Sequence, residues 1–338
     1  MPKRLTTSPR VSQTRDLQIN FVNAEDLTIT RRRSGKGWRY GQADGSRISD
    51  REEIARLNRI GLPPAYREGR FCADPAGHIQ AVGTDARGRR QYRYHPDFRS
   101  GQDGAKFDRC AAFGASLPKI RAQVERDLTG STLAFSTVVA VIIRLLDVGH
   151  LRVGNQAYAK ANKSFGVTTL RNRHAQLSGK TLRLSFRAKS GIMRSVAITD
   201  KAVVRVVNKC QDLRGQNLFQ YLDEDGAVHT VTSSDVNDYL RNASGENITA
   251  KDFRTWCGSV IACQAWHLAS SGETQITIKQ AAEIVAVQLG NTPSVARKSY
   301  IHPAVVGMIS EGKLCDLPRG THWYSPEERM LLALLEAG

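Results

Sequence analysis

QLGNTPSVARKSYIHP, residues 288–303, closes one helix and opens another that ends on a tyrosine. The run before it, IKQAAEIVAVQL, has helical apolar spacing, and Gly290 supplies the left-handed stop that helices favour. Thr292 is a good N-cap, and Pro293 fits the first helical position, where its missing N–H costs nothing. The short helix SVARKS then ends near Tyr300. Upstream, Thr277 with Gln280 forms a capping box, and Thr249 with Asp252 has the same pattern before KDFRTWCGSVIACQAW. FGASLPKIRAQVERDL and STVVAVIIRLLDVGH carry apolar residues at helical spacing. One β-hairpin interrupts this half: in TLRLSFRAKSGIMRSVAI, Leu182, Leu184 and Phe186 alternate, AKSG turns, and Val196 and Ile198 alternate on the return. Residues 105–338 therefore read as a mainly α-helical domain with a hairpin.

The other half has a different period. Residues 26–100 alternate short β-like runs with turns, as in WRYGQADGSRI and FCADPAGHIQAVGTDARGRRQYRYH. ISDREEIARLNRIG is a brief helical insert that Ser49 can cap and Gly61 can end, and Pro63 and Pro64 then force extension. RSGQDGAKFDR, residues 99–109, has the Gly and polar composition of a linker. Residues 1–25 read as a flexible basic arm. The expected fold class is α+β: a small β-rich domain followed by a larger helical one.

Charge narrows the function. Among 338 residues, 49 Lys and Arg stand against 32 Asp and Glu, a formal +17. Such a field attracts polyanions, and counterion release from phosphates makes nucleic acid the expected partner. No window nears 18 uninterrupted apolar residues, so no membrane partner is expected. The N-terminus lacks the apolar core of a secretory signal. Cys72, Cys110, Cys210, Cys257, Cys263 and Cys315 form no C-x-x-C pair, which argues for reduced thiols, a cytosolic setting and no zinc site.

Breaking a phosphodiester without a metal makes particular demands. Arginine neutralises the charge growing on phosphate oxygens, because its guanidinium stays ionised and binds bidentately. A nucleophile must attack, and an acid must protonate the leaving sugar oxygen. Taken singly, each candidate residue has an ordinary reading: a solvated arginine, an exposed hairpin lysine, an arginine snorkelling beside aromatics, a tyrosine packed at a helix end. Their order along the chain is what carries the signal.

Four segments in sequence resemble the type IB DNA topoisomerases, in particular the small bacterial and poxvirus group. HLRVGNQAYAKANKSFGVTTLRNRH is similar to that family's R-x-G-N-x-x-Y segment, FRAKSG to its lysine-bearing hairpin, TAKDFRTW to its second arginine segment, and QLGNTPSVARKSYIHP to its nucleophile segment. GKGWRY and LPPAYREGRFCADPAGHIQAVGTDARGRRQYRYHPDFR resemble the small β domain that these enzymes lay on the opposite face of DNA. The resemblance spans roughly residues 30–310. It implies a catalytic domain like that of tyrosine recombinases, with Tyr300 as nucleophile and Arg152, Arg254 and Asn291 stabilising the transition state. Lys189 would be the general acid. It further implies a 3′-phosphotyrosyl intermediate, relaxation of supercoiled DNA without ATP, metal or other cofactor, and monomeric action in the cytoplasm, on the nucleoid.

Duplex DNA contacts are expected from Arg89, Arg90, Gln91, Tyr92 and Tyr94, with both tyrosines on one strand face, and from Arg171 and Arg173. Viral members carry His where Asn291 stands; Asn donates a hydrogen bond but cannot act as acid or base, so it is assigned stabilisation only. Ala188 stands where the family often has Gly, and DVGH before Arg152 matches less well. The alternatives are a tyrosine recombinase or integrase, disfavoured by Lys251 in K-x-x-R and by the GRRQYRYH cap, and a noncatalytic DNA-binding protein.

Overall fold

A computed structural model of the protein describes residues 18–272, 275–313 and 317–337. The chain divides into two compact units between Gly104 and Ala105. Most of the basic arm expected over residues 1–25 lies outside the described residues, as does Cys315. From Asn20 the chain is pinned: the Asn20 carbonyl accepts from His78 N–H at 2.7 Å, and Leu27 is fully buried.

The first unit is a five-stranded antiparallel sheet. Its strands are β1 (Ile29–Ser34), β2 (Gly37–Gly41), β3 (Arg67–Phe71), β4 (Ile79–Thr84) and β5 (Arg90–Tyr94), in the order β2-β1-β3-β4-β5. Helix α1 (Arg51–Arg59) packs Leu57 against Tyr40, Phe71 and Ala81. Its N-cap is Asp50, not the expected Ser49; the carboxylate accepts from Glu52 and Glu53 N–H and takes two orphan donors where a hydroxyl would take one.

The expected linker at residues 99–109 is helical. Helix α2 runs from Pro96 to Leu128, and the division between units falls inside it. Gly101 and Gly104 weaken a helix by about 1 kcal/mol each relative to Ala, but beyond them Cys110, Phe113, Leu117 and Ile120 line one buried face. Composition at the junction was the misleading cue; the apolar stripe just after it holds the helix. Pro118 lies inside α2 and cannot donate to the Gly114 carbonyl, and Tyr324 Oη supplies that donor at 2.9 Å.

The second unit is mainly helical around one large core. Helix α3 (Phe135–Gly149) is buried along most of its length, from Thr137 to Ile143 and again from Leu145 to Asp147, and contributes heavily to this core. Then follow α4 (Gln156–Asn162) and a three-stranded sheet of β6 (Ala175–Ser178), β7 (Thr181–Arg187) and β8 (Met193–Thr199). The hairpin was legible in the sequence; β6, its third strand, was not. Helix α5 (Lys201–Asp212), a small ribbon of β9 (Gln220–Leu222) and β10 (Val228–Thr230), and α6 (Ser233–Ser244) lead to α7 (Asp252–Ser271). The last helices are α8 (Ile278–Leu289), α9 (Pro293–Ser299), α10 (Pro303–Ser310) and α11 (Pro326–Glu336). Thr277 and Gln280 box the start of α8, Gly290 ends it at φ 62°, and Thr292 caps α9. At α7 the box is half made: the Asp252 carboxylate accepts from Thr249 N–H at 2.9 Å, and the Thr249 hydroxyl donates to the same carboxylate.

Candidate active site

The segment RVGN shows why each motif residue is there. Gly154 adopts φ 108°, and a side chain on it would meet Thr168 Oγ1 at 2.9 Å; across from it, one on Gly166 would meet Gly154 N at 2.5 Å. Only glycines let these two backbones approach so closely. Val167 N–H donates to the Arg152 carbonyl at 2.8 Å, and Asn155 caps α4 by accepting from Tyr158 N–H. The backbone of Arg152 is thereby fixed and its side chain is free to reach inward.

It reaches the C-terminus of α8. Unpaired carbonyls gather there, together with the negative end of the helix dipole, a natural seat for cations. Arg254 Nη2 donates to the Leu289 carbonyl at 2.9 Å, and its Nη1 donates to the carbonyl of His150, the left-handed C-cap of α3, at 3.1 Å. Arg152 Nη1 and Nη2 lie 3.5 and 3.4 Å from the Leu289 and Gly290 carbonyls, and Nη2 also donates to Asn291 Oδ1. No carboxylate pairs with either arginine among the described residues. Arg254 is 5% exposed, yet its Nε, like Asn291 Nδ2, is buried with no partner among the described residues.

Tyr300 ends α9 and is seated on α7. Gly258 leaves no room: a Cβ there would stand 2.5 Å from the Tyr300 carbonyl oxygen and 2.8 Å from its Cβ. Ser259 Oγ accepts from His302 N–H at 2.9 Å and lies 3.3 Å from the Tyr300 carbonyl. The Arg254 guanidinium carbon stands 4.8 Å from the Tyr300 ring centroid. Burial would push the phenol up, but Arg254, Arg152 and Lys189 outweigh it and hold Tyr300 below the ordinary tyrosine range. Burial, aided by the neighbouring Arg254 charge, lowers Arg152 to about 10.

Arg152, Lys189, Arg254 and Tyr300 line one cavity of about 520 Å³, with Asn155, Tyr158, Phe165 and Lys251. Lys189 is exposed at the hairpin tip, followed by Ser190 at φ 65°. Asn291 is not on the cavity wall; it stands behind Arg152. Among the described residues, no three His, Cys, Asp or Glu side chains converge as metal ligands would.

The expected DNA-contact residues fall in separate places. Arg171 stacks over Phe165 at 5.6 Å and donates to Gln216, and Arg173 is exposed on the turn after it. Tyr92 and Tyr94 share the exposed face of edge strand β5, their rings stacked at 6.1 Å. Beside them, Arg89 and Gln91 bond Asp85, and Arg90 pairs with Glu25 at 2.8 Å. Sequence reading missed Gly258, whose only cue was a glycine in mid-helix, and Tyr158, which sits in the quoted motif without an assigned role.

Comparisons with known proteins agree with this geometry. The family model described as eukaryotic DNA topoisomerase I, catalytic core, matches residues 95–314, and that of the bacterial DNA topoisomerase IB N-terminal domain matches residues 37–85. The DNA topoisomerase 1B of Acanthamoeba polyphaga mimivirus is 32% identical over 81% of this chain and 84% of its own length. That of vaccinia virus (strain Copenhagen) is 24% identical over 70% and 74%. Among solved structures, the XerH site-specific recombinase bound to its difH substrate has a TM-score of 0.37 at 11% identity, over 58% of this chain and 49% of that one, a likeness too slight to decide anything.

Proposed function

Because this chain belongs to the type IB DNA topoisomerases, we propose that Tyr300 cuts and rejoins one strand of duplex DNA to relax supercoils. The supporting observation is the convergence of Tyr300, Arg254, Arg152 and Lys189 on one cavity, with the phenol held below its ordinary range. Tyr300 Oη attacks a backbone phosphorus as phenolate, and the bond from phosphorus to the 5′-oxygen breaks. The 5′-oxygen takes a proton from Lys189, leaving a 3′-phosphotyrosyl link and a free 5′-hydroxyl strand that can swivel. Arg152 and Arg254 clasp the non-bridging oxygens, and Asn291 orients Arg152 from behind with its unspent Nδ2–H in reserve. Religation reverses these steps and needs no ATP, since the covalent link keeps the energy of the bond it replaced.

In this reading the β-rich domain, residues 26–100, is a DNA-clamping domain. The exposed Tyr92 and Tyr94 pair would face sugar and phosphate, and the helical domain, residues 105–338, would perform the chemistry. Arg171 and Arg173 would contact the backbone beside the cut. The protein would act as a monomer in the cytoplasm, on the nucleoid.

Incubation with negatively supercoiled plasmid in EDTA without ATP tests the proposal, beside Tyr300→Phe. Relaxation by the wild type and none by the variant is expected, and a denaturing quench should leave protein on the 3′ end of nicked DNA. Equal relaxation by the variant, or a 5′ linkage, would overturn it.

A further inference from the structure

The lysine-bearing hairpin carries its own anchor. Its tip is Lys189, Ser190, Gly191 and Ile192; Lys189 and Ser190 are exposed, Met193 at the start of β8 is 65% exposed, and both Ser190 and Gly191 have left-handed backbones. Burial does not hold such a loop. On the β7 side its base is fixed by Phe165 N–H, which donates to the Arg187 carbonyl at 2.8 Å. On the β8 side stands Arg194, paired in register with Phe186. Arg194 leaves the sheet: Nη1 donates to the Val287 carbonyl at 3.1 Å and Nη2 to the Gln288 carbonyl at 2.7 Å. Its stem lies over Gly290, where an added Cβ would meet Arg194 Cδ at 3.2 Å.

These carbonyls belong to the same helix end that seats Arg152 and Arg254. A single helix C-terminus thus bears three guanidiniums, two reaching into the cavity and one tying down the hairpin. We propose that Arg194 is a positioning residue for Lys189, fixing the hairpin to the end of α8 so that the ammonium stands in register with the arginines. Loss of this clip would leave the arginines and Tyr300 in place and let the tip carrying Lys189 move away. The inference rests on the reading of Lys189 as general acid, and the test separates the two.

Single-turnover cleavage is measured with saturating enzyme on two DNA substrates that differ in one atom, an ordinary 5′-oxygen or a 5′-sulfur leaving group. The thiolate, from a thiol of pKa about 8.5, departs without a proton. Rates are read on the cleavage-competent fraction, with thermal melts alongside, so misfolded protein does not count. Arg194→Ala should slow the 5′-oxygen reaction about 10-fold, part of the 10²–10⁴ that general acids supply, and the 5′-sulfur reaction by less than about 2-fold. Arg194→Lys, which keeps the stem and the charge but has one nitrogen in place of the two that reach Val287 and Gln288, should fall between Ala and wild type on the 5′-oxygen substrate. Equal slowing on both substrates, or no slowing on either, would overturn the positioning role. Lys189→Ala run in parallel should show the same selectivity more strongly. If Lys189→Ala is selective and Arg194→Ala is not, the anchor fails and the acid stands; if Lys189→Ala is equally slow on both, the acid assignment falls and the anchor with it.

Discussion

Two part-buried arginine clusters meet at α7, and they are built from opposite materials. On one side Arg121 is held by carboxylates: Nε and Nη2 bond Asp147 at 2.9 Å each, and Nη1 and Nη2 bond Glu328 at 2.8 and 2.7 Å. Trp256 Nε1 donates to the same Glu328, and Glu328 closes the capping box of α11. On the other side Arg152 and Arg254 donate to carbonyls and an amide, with the Tyr300 ring beside Arg254. A guanidinium between two carboxylates has spent its charge. One oriented by neutral dipoles keeps it for an arriving anion. In this protein the kind of partner, more than burial, separates an arginine that holds the fold from one fit for phosphate.

The sharpest way to break this contrast is to remove a cation from the carbonyl-held cluster. Arg254→Ala should slow single-turnover cleavage by about 10²–10³, the loss typical of a transition-state donor. It should also move the rising limb of the pH–rate profile upward, because Arg254 is the strongest influence lowering the Tyr300 phenol against its burial. An unmoved limb would separate Arg254 from activation of the phenol. A subtler change converts one cluster into the other. Asn291→Asp sets a carboxylate on Arg152 at nearly constant shape, and cleavage should fall about 10–100-fold as that guanidinium is neutralised. Wild-type rates in this variant would mean that the absence of acids from the site has no functional weight.

The carboxylate-held cluster should respond in stability instead. Glu328→Gln should lower unfolding free energy by about 3 kcal/mol while the rate per folded molecule stays within about 2-fold, checked by urea melts and burst-normalised cleavage. Burial would raise the Glu328 carboxyl, but its bonds to Arg121 and Trp256 outweigh this and hold it below the ordinary range. Its contribution is therefore full above the unfolded value of about 4.3 and disappears as pH falls through the lower folded value. The Gln variant should lack that acid limb. The smallest effect is expected at Arg90, already paired with Glu25 on an exposed edge. Arg90→Ala should change DNA affinity by less than about 3-fold in a salt titration, whereas Tyr92→Ala, which removes an outward-facing ring, should cost more.

What could be read from the sequence follows the range of the interactions. Thr277 with Gln280, Thr292 with Pro293, and Gly290 act within four residues, so the helices around Tyr300 are plain in the sequence. The five candidate residues were legible as an ordered pattern. Their common support was not, because the carbonyls at the end of α8 carry no side-chain signature. Residues 99–109 were misread since two glycines outweighed an apolar stripe that begins after them. The segment after residue 310 lies outside the family resemblance, yet Tyr324 repairs the helix at Pro118 and Glu328 completes the Arg121 cluster, across separations of about two hundred residues. Only tertiary packing reveals such partners.

Gly258 turns the seat of Tyr300 into a constraint on improvement. In mid-helix it weakens α7 by about 1 kcal/mol relative to alanine, so any search for a hardier protein by raising helix propensity would choose this position early. The added methyl would have to share space with the Tyr300 backbone. Because that contact is with backbone and not with the end of a flexible side chain, the substitution should cost stability and shift Tyr300 together, so helix propensity is the wrong guide at this position.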